Sequence, residues 1–488
     1  MRVLENLEPQ KVFYYFEEIT RIPHGSGNVV QISDYLVAFA RKRNLQVIQD
    51  QWKNVIIFQE ATPGYEKEPV LILQGHMDMV AVKTPTCTKN MQTEGLQIGI
   101  RGDEIYAEET SLGGDDGIAV AYGLAILDSP KLQHPALEIV FTVDEEVGMD
   151  GARAIDLSEL KGNRLLNLDS EEEGIFLTSC AGGARVSCEL PVVCEPMEGL
   201  YRECRVVIDG LLGGHSGEEI DKGRGNSNIL FGRLLWKLCG QIPVRLAFVE
   251  GGLADNAIPR KTEAVLAVRQ EDVEAAERAL DEFGQEVMAE LERKDPGFSL
   301  AYSWDDAEGS LRPAWTVADT KRAAAMLAGL PNGVQAMSAD IEGLVETSLN
   351  LGILRTDEKG LEAEFSVRSS LESAKAALIG KLEAVTVLAG GSIQVSGEYP
   401  GWKYRADSPL REKMINVYRE LYGTEPQVEA IHAGLECGLL GSKIPDLDCV
   451  SMGPDMKNIH TTEETLSISS TRRVWEYLVK LLERKENG

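Results

Sequence analysis

The chain alternates short apolar runs with amphipathic helical patterns near both of its ends. Buried strands are indicated at residues 54–58, 70–73, 139–143, 164–168 and 449–452. Helices are indicated at residues 12–19, 29–36, 118–127, 410–422 and 469–483. Strands and helices that alternate in this way form a largely parallel sheet covered by helices. The two ends of the chain therefore predict an α/β fold with a mostly parallel sheet.

The middle of the chain follows a different pattern. Residues 185–190 and 201–209 alternate apolar and polar side chains, as half-exposed strands do. Further patterns indicate helices at residues 227–238, 272–293 and 371–389 and a strand at residues 392–396. We therefore predict a discontinuous α/β domain formed by residues 1–185 and 399–488, with an α+β domain inserted at residues 186–398.

Composition narrows the classes of partner. The 488 residues carry a formal net charge of −29, which argues against nucleic acid and anionic membranes as partners. No basic segment followed by an apolar run marks a signal peptide, and no apolar stretch approaches the ~18 residues of a membrane span. The eight cysteines include no C-x-x-C pair, which favours reduced thiols. We expect a cytoplasmic protein.

Histidine and acidic side chains follow several of the predicted strands. In chain order they are His76, Asp78, Glu145, Glu146, Asp169 and His460. A further acidic residue, Asp115, lies in the turn Gly-Gly-Asp-Asp-Gly before a predicted helix. Because open parallel sheets bind ligands beyond the carboxyl ends of their strands, we expect these side chains to converge. A hydrolytic metal site needs histidine and carboxylate ligands together with a carboxylate base.

Each motif by itself has an ordinary structural explanation. A lone His-x-Asp is usually incidental, and a glycine-flanked aspartate pair is usually a surface turn or helix cap. The doublet Glu145-Glu146 could be a solvated strand end, and Thr461-Thr-Glu-Glu464 could be a capping box. Their joint occurrence favours a metal site. Since neighbouring side chains of a strand point to opposite faces, alternation could separate a ligand from a base within the doublet.

The motifs resemble, in the same order, those of the co-catalytic zinc exopeptidases, the family that includes carnosinase and the carboxypeptidase G type. The matching motifs are His-x-Asp, Gly-Gly-Asp-Asp-Gly, Asp-Glu-Glu, Leu-Asp-Ser and Asn-Ile-His. Within this family, shorter segments resemble the bacterial aminoacyl-histidine (Xaa-His) dipeptidases. They lie at residues 21–28, 213–217, 254–259, 331–334, 367–369 and 431–438.

The resemblance implies a role for each matching metal-site residue. Asp115 would bridge two zinc ions, with cobalt or manganese as alternatives. His76 and Asp169 would bind one ion, and Glu146 and His460 would bind the other. Two such ions can hold one hydroxide between them and polarise the scissile carbonyl.

The resemblance also implies roles around the metal ligands. Glu145 would act as general base, and Asp78 would hold the second ring nitrogen of His76. A cis peptide is expected after Asp115, between it and Asp116.

The inserted domain would be a lid that supplies substrate contacts. By resemblance, His215 would stabilise the developing oxyanion, Arg368 would grip the substrate carboxylate, and Asn256 would bind the substrate backbone. Glu436 would contact the substrate amine. The relatives also imply a homodimer.

We therefore predict a two-zinc metallodipeptidase that hydrolyses unblocked dipeptides, including Xaa-His dipeptides such as carnosine. A metal-bridging hydroxide would attack, with Glu145 as general base. One alternative is an N-acyl amino acid amidohydrolase or deacetylase on the same scaffold. Another is a non-catalytic metal-binding protein, which the presence of Glu145 beside a full ligand set disfavours.

Overall fold

The chain forms two compact units in this computed structural model, which describes residues 2–197, 200–305, 312–357 and 360–486. Unit 1 comprises Met1–Ser179, Trp402–Ala430 and Leu435–Gly488. Unit 2 comprises Cys180–Gly401 and the short segment Ile431–Gly434. The first boundary between the units lies six residues before the predicted boundary at 185/186. The second lies three residues after the predicted boundary at 398/399. Assignment of the insert as a lid stays a prediction.

Unit 1 is built around an eight-stranded sheet. Its strands, in spatial order, are Gln46–Gln49, Val55–Gln59, Leu137–Thr142, Leu71–His76, Arg164–Asn167, Asp448–Ser451, Ile175–Cys180 and Gln427–Ile431. The four strands from Leu137–Thr142 to Asp448–Ser451 are parallel to one another. The strands Gln46–Gln49, Val55–Gln59 and Ile175–Cys180 each run antiparallel to the neighbour on their inner side. The predicted α/β fold is confirmed, with parallel pairing confined to the central strands.

Helices cover this sheet. They are Gln10–Thr20, Val30–Lys42, Gly114–Leu127, Asp150–Ala154, Pro409–Tyr422, Glu436–Lys443 and Ile468–Glu483. Every residue of Gly114–Leu127 is buried, as expected for a helix that is apolar on all sides. At Gly123 a Cβ would meet the ring of Phe141 at 2.8 Å, so glycine lets this helix lie close to the sheet.

A second, small sheet completes unit 1. Its four strands are Met456–Lys457, Thr465–Ser467, Glu104–Ala107 and Ile98–Arg101. The capping-box prediction for residues 461–464 is wrong, because Glu464 precedes the strand Thr465–Ser467 rather than opening a helix. The following helix is capped by Ser467, whose side chain accepts the backbone N–H of Ser470.

Unit 2 is an antiparallel sheet with helices packed against it. Its path is Ser299–Trp304, Tyr201–Asp209, Thr262–Arg269, Arg245–Gly251, Val345–Thr356, Gly360–Ser369, Gly182–Pro191 and Ser392–Tyr399, with Gly333–Met337 beside Val345–Thr356. Two short ribbons pair Cys194–Glu195 with Ala314–Trp315 and Gly214–His215 with Ala257–Ile258. The α-helices are Ser227–Cys239, Val273–Leu291, Val317–Gly329 and Glu372–Leu388, and the 3₁₀ turns are Ile220–Lys222 and Gln270–Asp272.

Two further observations concern the whole described chain. Among the helices that the structure describes, none combines the length and the apolar content needed to cross a bilayer. All eight cysteines lie in described residues, and no disulfide joins any of them.

Candidate active site

Three parallel strands end beside one another at one edge of the unit 1 sheet. His76 is the last residue of the strand Leu71–His76. Asp169 comes two residues after the neighbouring strand Arg164–Asn167. On the other side, Glu145 and Glu146 follow the strand Leu137–Thr142. The convergence predicted from strand ends is therefore observed, because parallel strands carry their carboxyl ends to the same edge.

Asp115 lies between the two predicted histidine ligands. Its Oδ1 is 3.1 Å from Nε2 of His76, and its Oδ2 is 3.1 Å from Nε2 of His460. Each histidine has a second carboxylate nearby. His76 Nε2 is 3.5 Å from Oδ1 of Asp169, and His460 Nε2 is 2.9 Å from Oε2 of Glu146. The five side chains thus form two sets that share one carboxylate.

These separations are close to those between the ligands of a divalent metal ion. Ligand atoms that surround a tetrahedral zinc ion at about 2.0–2.2 Å lie roughly 3.3–3.6 Å from one another. The distance from His76 to Asp169, 3.5 Å, lies in this range, and the other three nitrogen–oxygen distances, 2.9 to 3.1 Å, are slightly shorter. The donor set, two imidazoles and three carboxylates, is also the one that zinc, cobalt and manganese accept.

The site carries more negative charge than its own side chains neutralise. Burial and neighbouring acidic groups raise the pKa of Glu145 well above its ordinary value, and burial raises the pKa of Asp169 to about 7. Although burial acts to lower the pKa of His76, the carboxylates of Asp169 and Asp115 raise it well above the ordinary value. An unpaired buried charge is costly, so such a cluster favours bound cations.

Glu145 and Glu146 lie in a turn, not in a strand. The strand ends at Thr142, and the turn is closed by hydrogen bonds from the N–H groups of Gly148 and Met149 to the carbonyl of Glu145. Strand alternation is therefore the wrong reason for expecting their side chains to separate. The turn itself directs Glu146 to His460, while the half-buried Glu145 groups with His76 and Glu146.

Asp78 contacts His76 mainly through its backbone. Nδ1 of His76 is 2.9 Å from the Asp78 carbonyl oxygen and 3.6 Å from its carboxylate. The carboxylate instead accepts hydrogen bonds from Oγ of Ser26 at 2.8 Å and from the N–H of Glu145 at 3.1 Å. The Asp78 carbonyl is therefore the nearer acceptor for Nδ1 of His76, and the carboxylate also supports the Glu145 turn. The role of the Asp78 carboxylate toward His76 stays a prediction.

The sequence patterns predict no contact for the side chain of Asp116, which follows Asp115 in the same motif. The peptide bond between them is cis, as the resemblance implied. The Asp116 carboxylate accepts the backbone N–H of His76 at 3.2 Å, and its ligand atoms group with those of His76 and Asp169. Burial raises its pKa well above the ordinary value. Asp116 thus holds the strand end that carries His76.

Glu436 is fully buried beneath the strand ends. Its carboxylate accepts hydrogen bonds of 2.6 Å from Nε2 of Gln74 and from Oγ1 of Thr142, which lie on adjacent strands. Burial raises its pKa to about 7. Glu436 has no exposed surface in this structure, and its contact with a substrate amine stays a prediction. Gln74 also accepts a hydrogen bond from Asn167, so these polar residues form one network that the sequence patterns did not reveal.

In unit 2, His215 ends one strand of a short ribbon, and Asn256 directly precedes the other strand. Gly214–His215 pairs with Ala257–Ile258, and the N–H of Ser216 donates to the carbonyl of Asn256 at 2.8 Å. Burial and the charge of Arg368 lower the pKa of His215. The imidazole is therefore neutral at physiological pH, with one nitrogen available as a donor.

Arg368 is buried on the strand Gly360–Ser369. Its Nη1 donates to the Tyr399 hydroxyl at 3.2 Å, and its Nε has no hydrogen-bond partner among the described residues. His432, for which the sequence supplied no role, is also buried, and its Nε2 is 2.7 Å from Oγ of Ser348. Burial and Arg368 lower the pKa of His432 to about 4. This cluster is cationic and suits an anionic group.

Comparison with known proteins agrees with a metal site formed by these residues. Residues 72–484 match the sequence profile described as Peptidase family M20/M25/M40. The chain belongs to this family. It is a metallopeptidase, and the resemblance noted in its motifs is confirmed.

Two relatives of this metallopeptidase are similar over their full lengths. It is 34% identical over 482 residues to the cytosol non-specific dipeptidase of Escherichia coli (strain K12), covering 99% of each chain. It is 35% identical to the aminoacylhistidine dipeptidase of Vibrio alginolyticus, with a TM-score of 0.94 and coverage of 99% of this chain and 98% of that one. An aminopeptidase of Bacillus cereus, 14% identical with a TM-score of 0.56 and 98% coverage of each chain, shares the fold.

Proposed function

We propose that the protein is a two-zinc dipeptidase that hydrolyses unblocked dipeptides, including those with C-terminal histidine such as carnosine. The observation that carries this proposal is the Asp115 carboxylate, which turns one oxygen to His76 and the other to His460. A carboxylate held in this way suits a ligand shared by two ions. The names of the two full-length relatives support a dipeptide as the substrate.

The two metal positions follow from the two sets of ligands. His76 and Asp169 would hold one ion, Glu146 and His460 would hold the other, and Asp115 would be common to both. When bound, the ions would polarise the scissile carbonyl and lower the pKa of water. Cobalt or manganese would fit the same donors.

Glu145 would move the proton. Its half-buried carboxyl lies beside the ligands, and its pKa is raised well above the ordinary value by desolvation and by neighbouring carboxylates. A carboxylate with a raised pKa accepts a proton from the attacking water more readily and can return it to the leaving amine. Asp78 would keep the turn of Glu145 in place through its hydrogen bond to the backbone N–H.

Unit 2 would bind the substrate. Arg368 would pair with the substrate carboxylate, because its guanidinium is buried and only partly hydrogen-bonded. His215, held neutral by burial and by Arg368, would donate a hydrogen bond to the developing oxyanion. The exposed Asn256 next to it would bind the substrate backbone.

A substrate panel tests the proposal. Purified protein loaded with Zn²⁺ should hydrolyse β-Ala-His and unblocked dipeptides, lose this activity on chelation, and regain it when metal is returned. N-acetyl-histidine serves as the matched substrate for the amidohydrolase alternative. Hydrolysis of N-acetylated amino acids without hydrolysis of dipeptides would overturn the dipeptidase proposal.

We also propose that the enzyme acts in the cytoplasm as a homodimer. The similar Escherichia coli protein is named a cytosol dipeptidase, which supports the location. Light scattering coupled to size-exclusion chromatography tests the assembly, since a dimer of the 53.5 kDa chain has twice that mass. A single species of monomer mass at micromolar concentration would contradict it.

A further inference from the structure

One buried carboxylate outside the metal ligands receives four backbone hydrogen bonds. Oε2 of Glu464 accepts the N–H groups of Leu112 at 2.7 Å and Gly113 at 3.0 Å. Oε1 accepts those of Gly114 at 2.8 Å and Asp115 at 3.3 Å. The Glu464 side chain is 3% exposed. All four donors belong to the loop that ends in the shared carboxylate.

Two of these amides begin the helix Gly114–Leu127, and the other two directly precede it. The first N–H groups of any helix lack partners within the helix, and this helix has no side-chain cap of its own. Glu464 supplies the cap from about 350 positions along the chain. Its negative charge also suits the positive end of the helix dipole.

The two glycines before Asp115 let the loop close around this carboxylate. Gly113 has φ +67°, and a Cβ there would meet Sδ of Met79 at 2.7 Å. At Gly114 a Cβ would lie 3.3 Å from Oε1 of Glu464. The Gly-Gly-Asp sequence is therefore the one that brings four successive N–H groups onto a single acceptor.

Glu464 also lies four residues after His460 in the chain. The segment that carries one histidine ligand thus binds the loop that carries the shared carboxylate. His460 itself has φ +62°, so its backbone is held in the left-handed region. A displacement of Glu464 would move Asp115 and His460 relative to one another.

We propose that Glu464 is a positioning residue, which holds the Asp115 loop and the His460 loop together so that the two Asp115 oxygens face the two metal positions. This inference rests on the proposed metal site. It assigns Glu464 no contact with substrate. An ordinary helix cap would stabilise the fold equally with and without metal, whereas a positioning residue changes the affinity and the coordination of the ions.

Cobalt binding distinguishes these roles. Metal-free protein of the full chain, prepared by chelation, is titrated with Co²⁺ by calorimetry and by visible absorption. In Glu464→Gln, an NH₂ group replaces one carboxylate oxygen and cannot accept a hydrogen bond. Two of the four backbone N–H groups therefore lose their partner. We expect Co²⁺ affinity to fall about 10- to 100-fold, with a changed absorption spectrum, as for other groups that orient metal ligands. The adjacent exposed Glu463→Gln is the matched control and should leave both unchanged.

The shorter Glu464→Asp keeps the charge and decides the question if Glu464→Gln does not fold. It should also weaken Co²⁺ binding and alter the spectrum, because one fewer methylene group draws the loop out of position. The inference is overturned if a folded Glu464 variant binds Co²⁺ with the affinity and the spectrum of the wild type. In that case only the thermal stability of the metal-free protein would be reduced, as for an ordinary helix cap. Asp115→Asn tests the underlying site separately: if it binds two Co²⁺ ions as the wild type does, the proposed function itself falls.

Discussion

The two histidines at the proposed metal positions of unit 1 and the two beside Arg368 in unit 2 lie in opposite electrostatic surroundings. In unit 1, hydrogen bonds from His460 to Asp115 and Glu146 raise the pKa of His460 to about 10, and carboxylates likewise raise that of His76. In unit 2, burial and the charge of Arg368 lower the pKa of His215 and take that of His432 to about 4. An imidazole therefore retains its proton beside the carboxylates near His76 and His460 and is neutral beside Arg368.

The difference indicates what each unit attracts. A cluster of carboxylates that retains protons on imidazole has a surplus of negative charge and binds cations. A buried guanidinium that keeps nearby imidazoles neutral has a surplus of positive charge and binds anions. A dipeptidase that uses metal ions and reads a free substrate carboxylate needs one surface of each kind. The predictions below alter one unit and leave the other intact.

The largest effect on activity is expected in unit 1, at Glu145. Glu145→Gln removes the proposed base but none of the proposed ligands, so kcat should fall by about 10²- to 10⁴-fold. Metal content, measured by atomic emission on the dialysed protein, should stay at the wild-type value. Turnover close to wild type would exclude Glu145 as the base, and loss of metal would make it a ligand instead.

The next largest effect on activity is expected at Arg368, in the cationic cluster of unit 2. Arg368→Lys keeps the charge but loses the planar fork, so KM for a dipeptide should rise about 10- to 100-fold while kcat changes little. A C-terminally amidated dipeptide should be affected far less, since it lacks the carboxylate. Arg355→Lys, on the same face of the insert and paired with Glu362, is the matched control. Equal losses on both substrates would contradict the carboxylate role.

Protonation of His432 should make unit 2 sensitive to acid. The folded pKa of about 4 lies below the ordinary value of 6.5, so between these values the unfolded chain binds the proton more readily. The stability attributable to neutral His432 is therefore present above pH 6.5 and is lost as the pH falls toward 4. By pH 5 the loss is on the order of 2 kcal/mol.

His432→Gln lacks this titration and checks the sign. The variant loses the imidazole packing, so it should be less stable than wild type at pH 7.5. The difference in unfolding free energy between the two proteins should shrink at pH 5, measured by urea denaturation of metal-free samples. A difference that grows on acidification would show that His432 gains, rather than loses, protons on folding.

The smallest effect is expected at Tyr399, whose hydroxyl accepts a hydrogen bond from Arg368. Tyr399→Phe removes one contact worth about 0.5–1.5 kcal/mol, so KM for a dipeptide should rise roughly 2- to 10-fold. Tyr302→Phe, which removes a hydroxyl bound to the exposed Asp281, is the control. A larger loss than that of Arg368→Lys would reverse the order and place the phenol, not the guanidinium, at the substrate.

The sequence by itself determined which segments form strands and helices and which side chains stand at strand ends. The strand 201–209 and the helices at 227–238 and 410–422 were predicted to within about two residues, because their apolar period of two or 3.6 is a local property. The convergence of His76, Asp169 and the Glu145 turn also follows, since parallel strands place their carboxyl ends together.

Only the tertiary structure decided how these side chains are oriented and what supports them. No local period relates Glu464 to the Asp115 loop, Glu436 to Gln74, or the segment Ile431–Gly434 to unit 2. The same applies to the Asp78 contacts, where a backbone carbonyl lies nearer to His76 than the carboxylate does. Hydrogen bonds between distant segments depend on where the whole chain has folded, so a pattern in sequence can name the donors but cannot assign their partners.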